Sequence, residues 1–530
     1  MYKVLVTGQL HPIALELMKR EGLELDVRPL LPREEILKII ADYHGIVTRS
    51  ETAIDEELIN YGRSLKVIGR AAIGVDNIDI DHATRKGVLV VHVPSDNVVS
   101  AAEHTFALML AAMRNIYPAA AKLRENVWNR SDFNGFELSG KTLGIIGLGK
   151  VGSNVATIAS GFGMSLLAYD PYIAKEKFEK FHARRASSLV DLLNQADIVT
   201  IHTPKTRETI GMLDYLSLKE MKQGAILINC ARGGIVDEDG LVRILDEGHL
   251  SRAGIDVFEK EPCEGHPLHF HPHCVCTPHL GASTVEAQSR VGKTIAAQMV
   301  KALKKGIVDF PVNMPLVEGE LFGVSRGFCS LAEKMGRLAR QLISFQPSLM
   351  RMTVCGSDLG DQVAILKAAY FKGYFEGTTE ERINYVNSVK ISENQGMKFE
   401  ITKDPLHETY ARLLKVEIYG DGSPVSLSGT LFAQRSKIVE VNGYPMDIVP
   451  EGIMLLLRNR DKPGVIGFVG GVLGNNGVNI ARWELGRKEL GGEALGILKL
   501  DTNVPKGALQ ELSDYDGIME VKELDFQHSS

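Results

Sequence analysis

The sequence predicts an α/β protein of several domains: two tandem α/β domains with parallel sheets, an α+β segment, and a terminal βαββαβ unit. Three observations carry this. Short β-type runs alternate with helical patterns through the first half, as parallel strands with crossover helices require. A G-x-G-x-x-G turn directly follows the first apolar strand of the second α/β series. In the last segment, from Gly452, the runs order as strand, helix, strand, strand, helix, strand. At roughly 100–200 residues per domain, 530 residues allow about three to five domains.

The first series reads YKVLVTG, the helical PIALELMKR, then GIVTRS, LKVIGRAAIG and VLVVHVP. A long helical pattern near residues 100–123 precedes the second series: TLGIIGLGKVG, SLLAYDP, DIVTIHTP, AILINCARGG and SRAGIDVF. PVNMPLVEGE reads as a linker. Beyond it a helical pattern at Leu331–Leu342 mixes with strands MRMTVCG, LLKVEIYG and SLSGTLF, and KIVEVNGYPMDIV reads as a hairpin turning at Asn442-Gly443. The last unit runs GIMLLLRNRD, PGVIGFVGGVLGNNG, VNIARWELGR, EALGILKLD, KGALQELSDY and IMEVKELDF, and the tail HSS carries no signal. The segments so defined are 1–97 with about 286–312, 98–285, 316–450 and 452–526.

Sixty Lys+Arg against 66 Asp+Glu give a net charge of −6, and 44% apolar with 24% charged is ordinary for soluble globular protein. A mildly acidic chain offers no broad electrostatic footprint for nucleic acid or an anionic membrane, so neither is expected as a partner. Six irregularly placed cysteines make no disulfide framework and point to a reducing, cytoplasmic compartment. The N-terminus lacks the apolar h-region and cleavage site of a signal peptide. Val98–Ala121 is the only candidate membrane span, but Glu103, His104, Arg114 and Asn115 interrupt it, and a buried helix is expected instead.

In the second series Gly147-Leu-Gly149-Lys-Val-Gly152 lies between an apolar strand and a helical pattern. Such a loop makes a tight turn at the first glycine, lets backbone approach a pyrophosphate at the second, and lets helix pack on strand at the third. The helix N-terminus then receives the anion. Asp170 ends the next strand, where a carboxylate accepts bonds from ribose hydroxyls and repels a 2′-phosphate. The expected cofactor is NAD rather than NADP.

Three polar residues follow later strands, where open α/β sheets place ligands: Arg232 after AILINCA, Glu261 past GIDVF, His279 after VCTP. An arginine fork suits a carboxylate, and a histidine oriented by a carboxylate suits proton transfer near neutral pH. Taken singly, each also reads as a surface Arg, a solvated Glu or a packed His, and spacing alone does not choose.

The stretches GLGKVG with Asp170, NCARGGIVDEDGL, AGIDVFEKEP and TPHLGAST resemble the D-isomer-specific 2-hydroxyacid dehydrogenase family, four motifs in order. GRAAIGVDNIDI, VPSDNVVSAAEHT, PHLGAS and the length are similar, more narrowly, to long members of that family that act on 3-phosphoglycerate. The last segment resembles the ACT regulatory domain. The resemblance implies a Rossmann-like NAD-binding domain at 98–285 and a flavodoxin-like substrate-binding domain at 1–97 with 286–312. It also implies an intervening domain with an anion-type regulatory role, where Lys437 is a candidate contact, and a ferredoxin-like ACT domain.

The same resemblance implies roles. Arg232 binds the substrate carboxylate and carbonyl, Glu261 pairs with the acid/base His279, and Asp256 meets the nicotinamide carboxamide. Further implied cofactor contacts are Lys150, Val151, Thr203, Cys230, Ala231 and Gly281. Implied substrate contacts are Gly74 with neighbouring backbone and Asn97. Arg49, Arg70 and Arg130 are candidates for the 3-phosphate, Arg130 across a dimer. Ala72-Ile73 stand where many relatives have Gly-Thr or Gly-Val, so only backbone contact remains there.

A cluster of His266, His269, His271, His273, Cys274, Cys276 and His279 raises a metal site as an alternative. Three prolines break the run, and Cys274 and Cys276 read as one face of a strand, so no metal is expected. In the ACT-like segment Asn459, Asp461 and Asn479 are implied contacts for an amino-acid effector, L-serine, between two copies; helix-capping and turn chemistry is the other reading.

The implied reaction is NAD-dependent oxidation of 3-phosphoglycerate to 3-phosphohydroxypyruvate, the first step of L-serine synthesis, by a serine-regulated homotetramer or dimer. The alternative within the class is a reductase of hydroxypyruvate, glyoxylate or 2-oxoglutarate. A different class is an NAD-sensing, corepressor-like binding protein.

Overall fold

The computed structural model describes residues 1–306, 308–315, 322–357, 359–378, 382–405, 407–433 and 435–527. The first sheet holds β1 (Lys3–Val6), β2 (Glu24–Val27), β3 (Gly45–Thr48), β4 (Val67–Arg70) and β5 (Leu89–Val91), all parallel, in the order β2-β1-β3-β4-β5. That is the flavodoxin-like order, with its switch point between β1 and β3.

The second sheet holds β6 (Thr142–Ile146), β7 (Ser165–Tyr169), β8 (Arg184–Arg185), β9 (Ile198–Ile201), β10 (Ile226–Asn229), β11 (Arg252–Ile255) and β12 (Cys274–Cys276). Its order, β12-β11-β10-β9-β6-β7-β8, is the doubly wound Rossmann order, with the switch point between β6 and β9. Buried on both faces, these strands read as nearly unbroken apolar runs such as LGII and ILI.

The helical pattern near 100–123 is two helices, Val98–Met113 and Ile116–Arg124. Asn115 separates them at φ 51°, a left-handed conformation that ends a right-handed helix. Its amide donates to the Asn134 carbonyl at 3.0 Å and accepts from Arg252, so the break is anchored. The first helix is buried against the second sheet; the second helix buries no residue at all. Among the described residues no helix is long and apolar enough to cross a membrane.

Helix Val285–Lys305, capped by the Thr284 hydroxyl on the Ala287 N–H, crosses back to the first sheet. There Ile295 and Met299 are fully buried among Val4, Val47 and Val67. Cβ atoms on Gly45 and Gly69 would lie 2.9 and 2.6 Å from Met299, so the two glycines let the helix settle on the strands. The linker expected at PVNMPLVEGE is only partly one: Val312 N–H donates to the Val90 carbonyl, and Asn313 bonds Val90 and Val88 along β5. Leu316–Glu320 lie outside the described residues, as does the tail His528–Ser530.

A mixed sheet follows: β13 (Pro347–Cys355), β14 (Lys398–Asp404), β15 (Leu413–Gly420), β16 (Val425–Phe432), β17 (Arg435–Val441) and β18 (Tyr444–Ile448). Its order is β14-β13-β15-β16-β17-β18, with only β13 and β14 parallel. Asn442 and Gly443, at φ 53° and 78°, make the β17–β18 turn, the two positive values such a two-residue hairpin needs. Helices Phe322–Leu342 and Val363–Phe375 cover one face; the second was absent from the sequence reading because an apolar run buried all round shows no helical periodicity. The last sheet, β19 (Gly452–Arg460), β20 (Ile480–Arg487), β21 (Glu493–Leu500) and β22 (Ile518–Phe526), is antiparallel in the order β20-β21-β19-β22, with two helices between strands.

Candidate active site

The cofactor side of the site lies at the switch point of the second sheet. Gly147, after β6, has φ 92°, and a Cβ there would lie 2.8 Å from the His202 carbonyl oxygen. A Cβ on Gly152 would fall 2.1 Å from the Gly147 carbonyl, so helix Lys150–Gly161 crosses the strand this closely only with glycine. Nothing lies within 4 Å of a Cβ placed on Gly149: this glycine borders open space before the helix N-terminus, where Lys150 and Val151 present their N–H groups.

Asp170, just past β7, accepts from the Leu148 N–H at 2.9 Å and the Tyr172 N–H at 3.1 Å, and so ties the glycine loop to its own strand end. Thr203, past β9, has a buried hydroxyl with no partner, and Cys230 and Ala231 follow β10. Burial pushes the Cys230 thiol up to about 12, so it stays neutral. An orphaned hydroxyl, a cradle that a Cβ would fill, free helix N–H groups and a carboxylate at the next strand end fit NAD, which these residues would hold by pyrophosphate and ribose.

Arg232 leaves β10 through a turn locked by Asn229, whose side chain accepts from the Ala231 N–H at 3.0 Å and donates to the Arg232 carbonyl at 3.1 Å. The guanidinium donates from Nη1 to the Ala231 carbonyl at 2.7 Å and from Nε to Asp76 Oδ2 at 3.2 Å. Its Nη2 faces Gly74, where a Cβ would lie 2.3 Å away. Glu261 accepts the Phe258 N–H on one oxygen at 3.1 Å and meets His279 Nδ1 with the other at 2.7 Å. Burial alone would raise the Glu261 carboxyl, but the His279 contact and the Phe258 N–H hold it below the usual carboxylate range. With Nδ1 engaged, Nε2 of His279 is the nitrogen left to exchange a proton.

Arg70 ends β4, 8% exposed, with a buried Nε that has no partner. Burial, then the charge of Arg49, pushes it down to about 10; Arg232 adds to this, while Glu51 and Asp76 oppose it. Arg49 and Arg70 stand at neighbouring strand ends of the first sheet, Thr48 pairing with Arg70, while Arg232 comes from the end of β10 in the second sheet. Arg49 is steadied by Gln288 Oε1 at 3.0 Å. Asn97, capping helix Val98–Met113, has a buried carbonyl oxygen without a partner. Arg130 sits on the exposed arm after helix Ile116–Arg124, and none of its described contacts reaches this cluster.

Asp256, expected as a cofactor contact, is bonded within the chain through both carboxylate oxygens. Its carboxylate is 1% exposed and already accepts from His104, Thr277, Leu280 and Gly281. Burial alone would raise it, but these bonds, led by His104, hold it below the usual range. Gly281 stands close because a Cβ there would lie 3.2 Å from that carboxylate. Asp76, His104 and Thr277 were missed as site residues. His104 was visible only as an interruption of an apolar run.

The histidine-rich stretch is spent on pairing: His266 meets Glu238 at 3.3 Å and His271 meets Asp246 at 3.3 Å. Cys274 and Cys276 do share a face, their sulfurs 3.5 Å apart. Among the described residues no group of three His, Cys, Asp or Glu side chains is placed to hold a metal. In the last domain Asn459, opposite Ala494 on β21, and Asn479, beside Ile480 opposite Leu500, lie at opposite ends of the sheet. Six residues of strand put them roughly 20 Å apart. Asp461 accepts from Arg487, and Asn479 donates to Asp501 at 2.7 Å. Asn459 keeps a buried carbonyl oxygen without a partner. Lys437 is paired at 2.6 Å with Asp447, which lines a cleft of about 560 Å³ together with Lys334, Arg435, Arg482, Lys499, Glu451 and Glu484.

Comparison with known proteins bears on the family and on the order of the domains. The family model "D-isomer specific 2-hydroxyacid dehydrogenase, NAD binding domain" matches residues 106–281. The D-3-phosphoglycerate dehydrogenase intervening domain matches 325–442, and the ACT domain 453–517. A D-3-phosphoglycerate dehydrogenase of Methanocaldococcus jannaschii is 38% identical over 98% of this chain and 99% of its own. One of Bacillus subtilis is 35% identical over 99% and 100%. Among solved structures, a D-lactate dehydrogenase of Aquifex aeolicus complexed with NAD and lactic acid superposes with a TM-score of 0.51 at 29% identity, over 57% of this chain and 96% of that one.

Proposed function

Because this chain belongs to the D-3-phosphoglycerate dehydrogenases, a long branch of the D-isomer specific 2-hydroxyacid dehydrogenase family, we propose that it oxidises 3-phospho-D-glycerate to 3-phosphohydroxypyruvate, the first step of L-serine biosynthesis. It is an NAD-dependent enzyme; NAD, when bound, accepts the hydride from C2. His279 Nε2 takes the C2 hydroxyl proton, and Glu261 stabilises the imidazolium that forms. Arg232, with Nε and Nη1 already committed, offers Nη2 to the substrate carboxylate and carbonyl beside Gly74.

The observation that carries the substrate reading is that Arg70, buried with an unpartnered Nε, ends β4 beside the strand end that carries Arg49, in a chain of net charge −6. One carboxylate needs one guanidinium; a second anionic end of the substrate accounts for the others. NADH formation with 3-phosphoglycerate and with glycerate tests this, since only a native phosphate makes its loss costly. Equal rates with both favour a hydroxypyruvate or glyoxylate reductase.

Self-association is part of the reading. Tyr117, Leu123, Trp128 and Phe136 are exposed on and after helix Ile116–Arg124, which buries nothing of its own, and a second copy covering them would bring Arg130 to the partner's cleft. L-serine is proposed as the effector of the ACT domain. The separation of Asn459 from Asn479 within one chain favours a site completed by a second copy. Serine titrated into the assay, with Asn459→Ala as the control, checks this. An anion-type regulatory role is proposed for the intervening domain at the cleft between the mixed sheet and the ACT domain, where Lys334 and Arg435 line the wall beside the paired Lys499–Glu451 and Arg482–Glu484.

A further inference from the structure

Three of the four donors to the buried Asp256 carboxylate belong to the turn that carries His279. They are Thr277 Oγ1 at 2.6 Å, the Leu280 N–H at 2.7 Å and the Gly281 N–H at 2.9 Å. The turn is tied back once more by the His279 N–H, which donates to the Asp256 carbonyl at 2.8 Å. The fourth donor comes from elsewhere: His104 Nε2 lies 3.1 Å from Asp256 Oδ1 and 3.1 Å from Thr277 Oγ1. His104 stands on helix Val98–Met113, the element through which the chain first passes from one α/β domain to the other. One helical turn earlier, Ser100 Oγ meets Thr284 Oγ1 at 2.9 Å. Residues four apart share a helix face, so one face of this helix meets Thr277 at the start of the His279 turn and, beyond the turn, Thr284, the cap of helix Val285–Lys305.

We propose that His104 is a positioning residue for the oxidation: it fixes Asp256, and through it the turn 277–281, so that His279 presents Nε2 to the C2 hydroxyl. The proposal rests on the reading of the chain as a 3-phosphoglycerate dehydrogenase. His279 sits at φ 55°, a conformation a non-glycine residue keeps only where its surroundings over-determine it. The three donors within the turn compensate the buried charge and join carboxylate and turn into one body. His104 anchors that body to the interdomain helix. It also loads Oδ1 with three donors against one on Oδ2, which fixes the rotation of the carboxylate and leaves Oδ2 room for one more.

The test compares His104→Leu, which removes the donor, with His104→Gln, whose side-chain amide restores one, in the full chain. Steady-state rates are taken with 3-phosphoglycerate and with its C2-deuterated form, alongside Tm. His104→Leu is expected to lower kcat about 10- to 100-fold with KM for both substrates changed less than about threefold. The deuterium isotope effect on kcat rises as hydride transfer becomes limiting, and His104→Gln recovers most of the rate. A merely structural role lowers the active fraction and leaves the isotope effect at its wild-type value. That result, or a His104→Leu rate within about twofold of wild type, overturns the proposal. Should His104→Leu not fold, Thr277→Val removes the other side-chain donor on the same oxygen and is read by the same isotope effect. Absent turnover of 3-phosphoglycerate by the wild-type chain would instead sink the functional reading, and the variants are then compared with glyoxylate and NADH.

Discussion

Arg232 Nε and Asp76 Oδ2 lie 3.2 Å apart, joining the cofactor-side sheet to the substrate-side sheet across the cleft. The Asp76 side chain is 56% exposed, so the pair contributes only about 0–1 kcal/mol to stability. Its larger effect is geometric, because occupying Nε turns Nη2 toward Gly74. Asp76→Ala should leave Tm nearly unchanged and lower kcat/KM for the hydroxy acid about tenfold or more. Asp76→Asn, which keeps an acceptor, should recover part of the loss. Equal kcat/KM in Asp76→Ala and wild type contradicts the assignment.

The His279–Glu261 contact predicts a pH dependence of stability. The folded-state value of Glu261 is depressed below its unfolded value of about 4.3, so the pair's contribution is present above that pH and is lost as pH falls through the lower, folded value. The Tm difference between wild type and Glu261→Gln should therefore shrink as buffers pass below about pH 4. A difference that holds constant down to pH ~3 would show that the carboxylate is not what the fold stabilises.

Two of the three glycines of the loop should fail differently. A methyl on Gly152 collides with the Gly147 carbonyl, so Gly152→Ala should destabilise the chain by about 1–3 kcal/mol. A methyl on Gly149 meets nothing in the protein, so Gly149→Ala should keep its Tm and raise KM for NAD by obstructing the pyrophosphate. Thermal melts beside NAD titrations separate the two; a Gly149→Ala enzyme with normal KM would refute the placement of the cofactor.

Asp170 should set the choice of dinucleotide. Its carboxylate is held at the strand end by two backbone N–H groups, Leu148 and Tyr172. Asp170→Ser is expected to narrow the preference for NAD over NADP by about tenfold or more, measured as the ratio of kcat/KM. An unchanged ratio would move that selectivity to another residue.

Much of this was legible in the sequence. The glycine loop, Asp170, Arg232, Glu261 and His279 sit at strand ends, and strand ends show as transitions from apolar runs to polar residues. Asp76 and His104 were not legible, since each acts through a partner far away in the chain, 156 and 152 residues respectively. The anchored break at Asn115 was hidden for a related reason: its partners Asn134 and Arg252 come from distant segments. The part Asp256 plays in holding the His279 turn could not be separated from its motif, because only the fold brings His104, Thr277, Leu280 and Gly281 to its carboxylate.

The most direct measurement is the initial rate of NADH formation from 3-phosphoglycerate and NAD, followed at 340 nm, for the wild-type chain and His279→Ala. The account predicts turnover that depends on 3-phosphoglycerate, falls sharply with unphosphorylated glycerate, and drops by about two to four orders of magnitude in His279→Ala while that variant still binds NADH. Wild-type protein that binds NAD yet forms no NADH from 3-phosphoglycerate, or a His279→Ala enzyme that turns over near the wild-type rate, would contradict it.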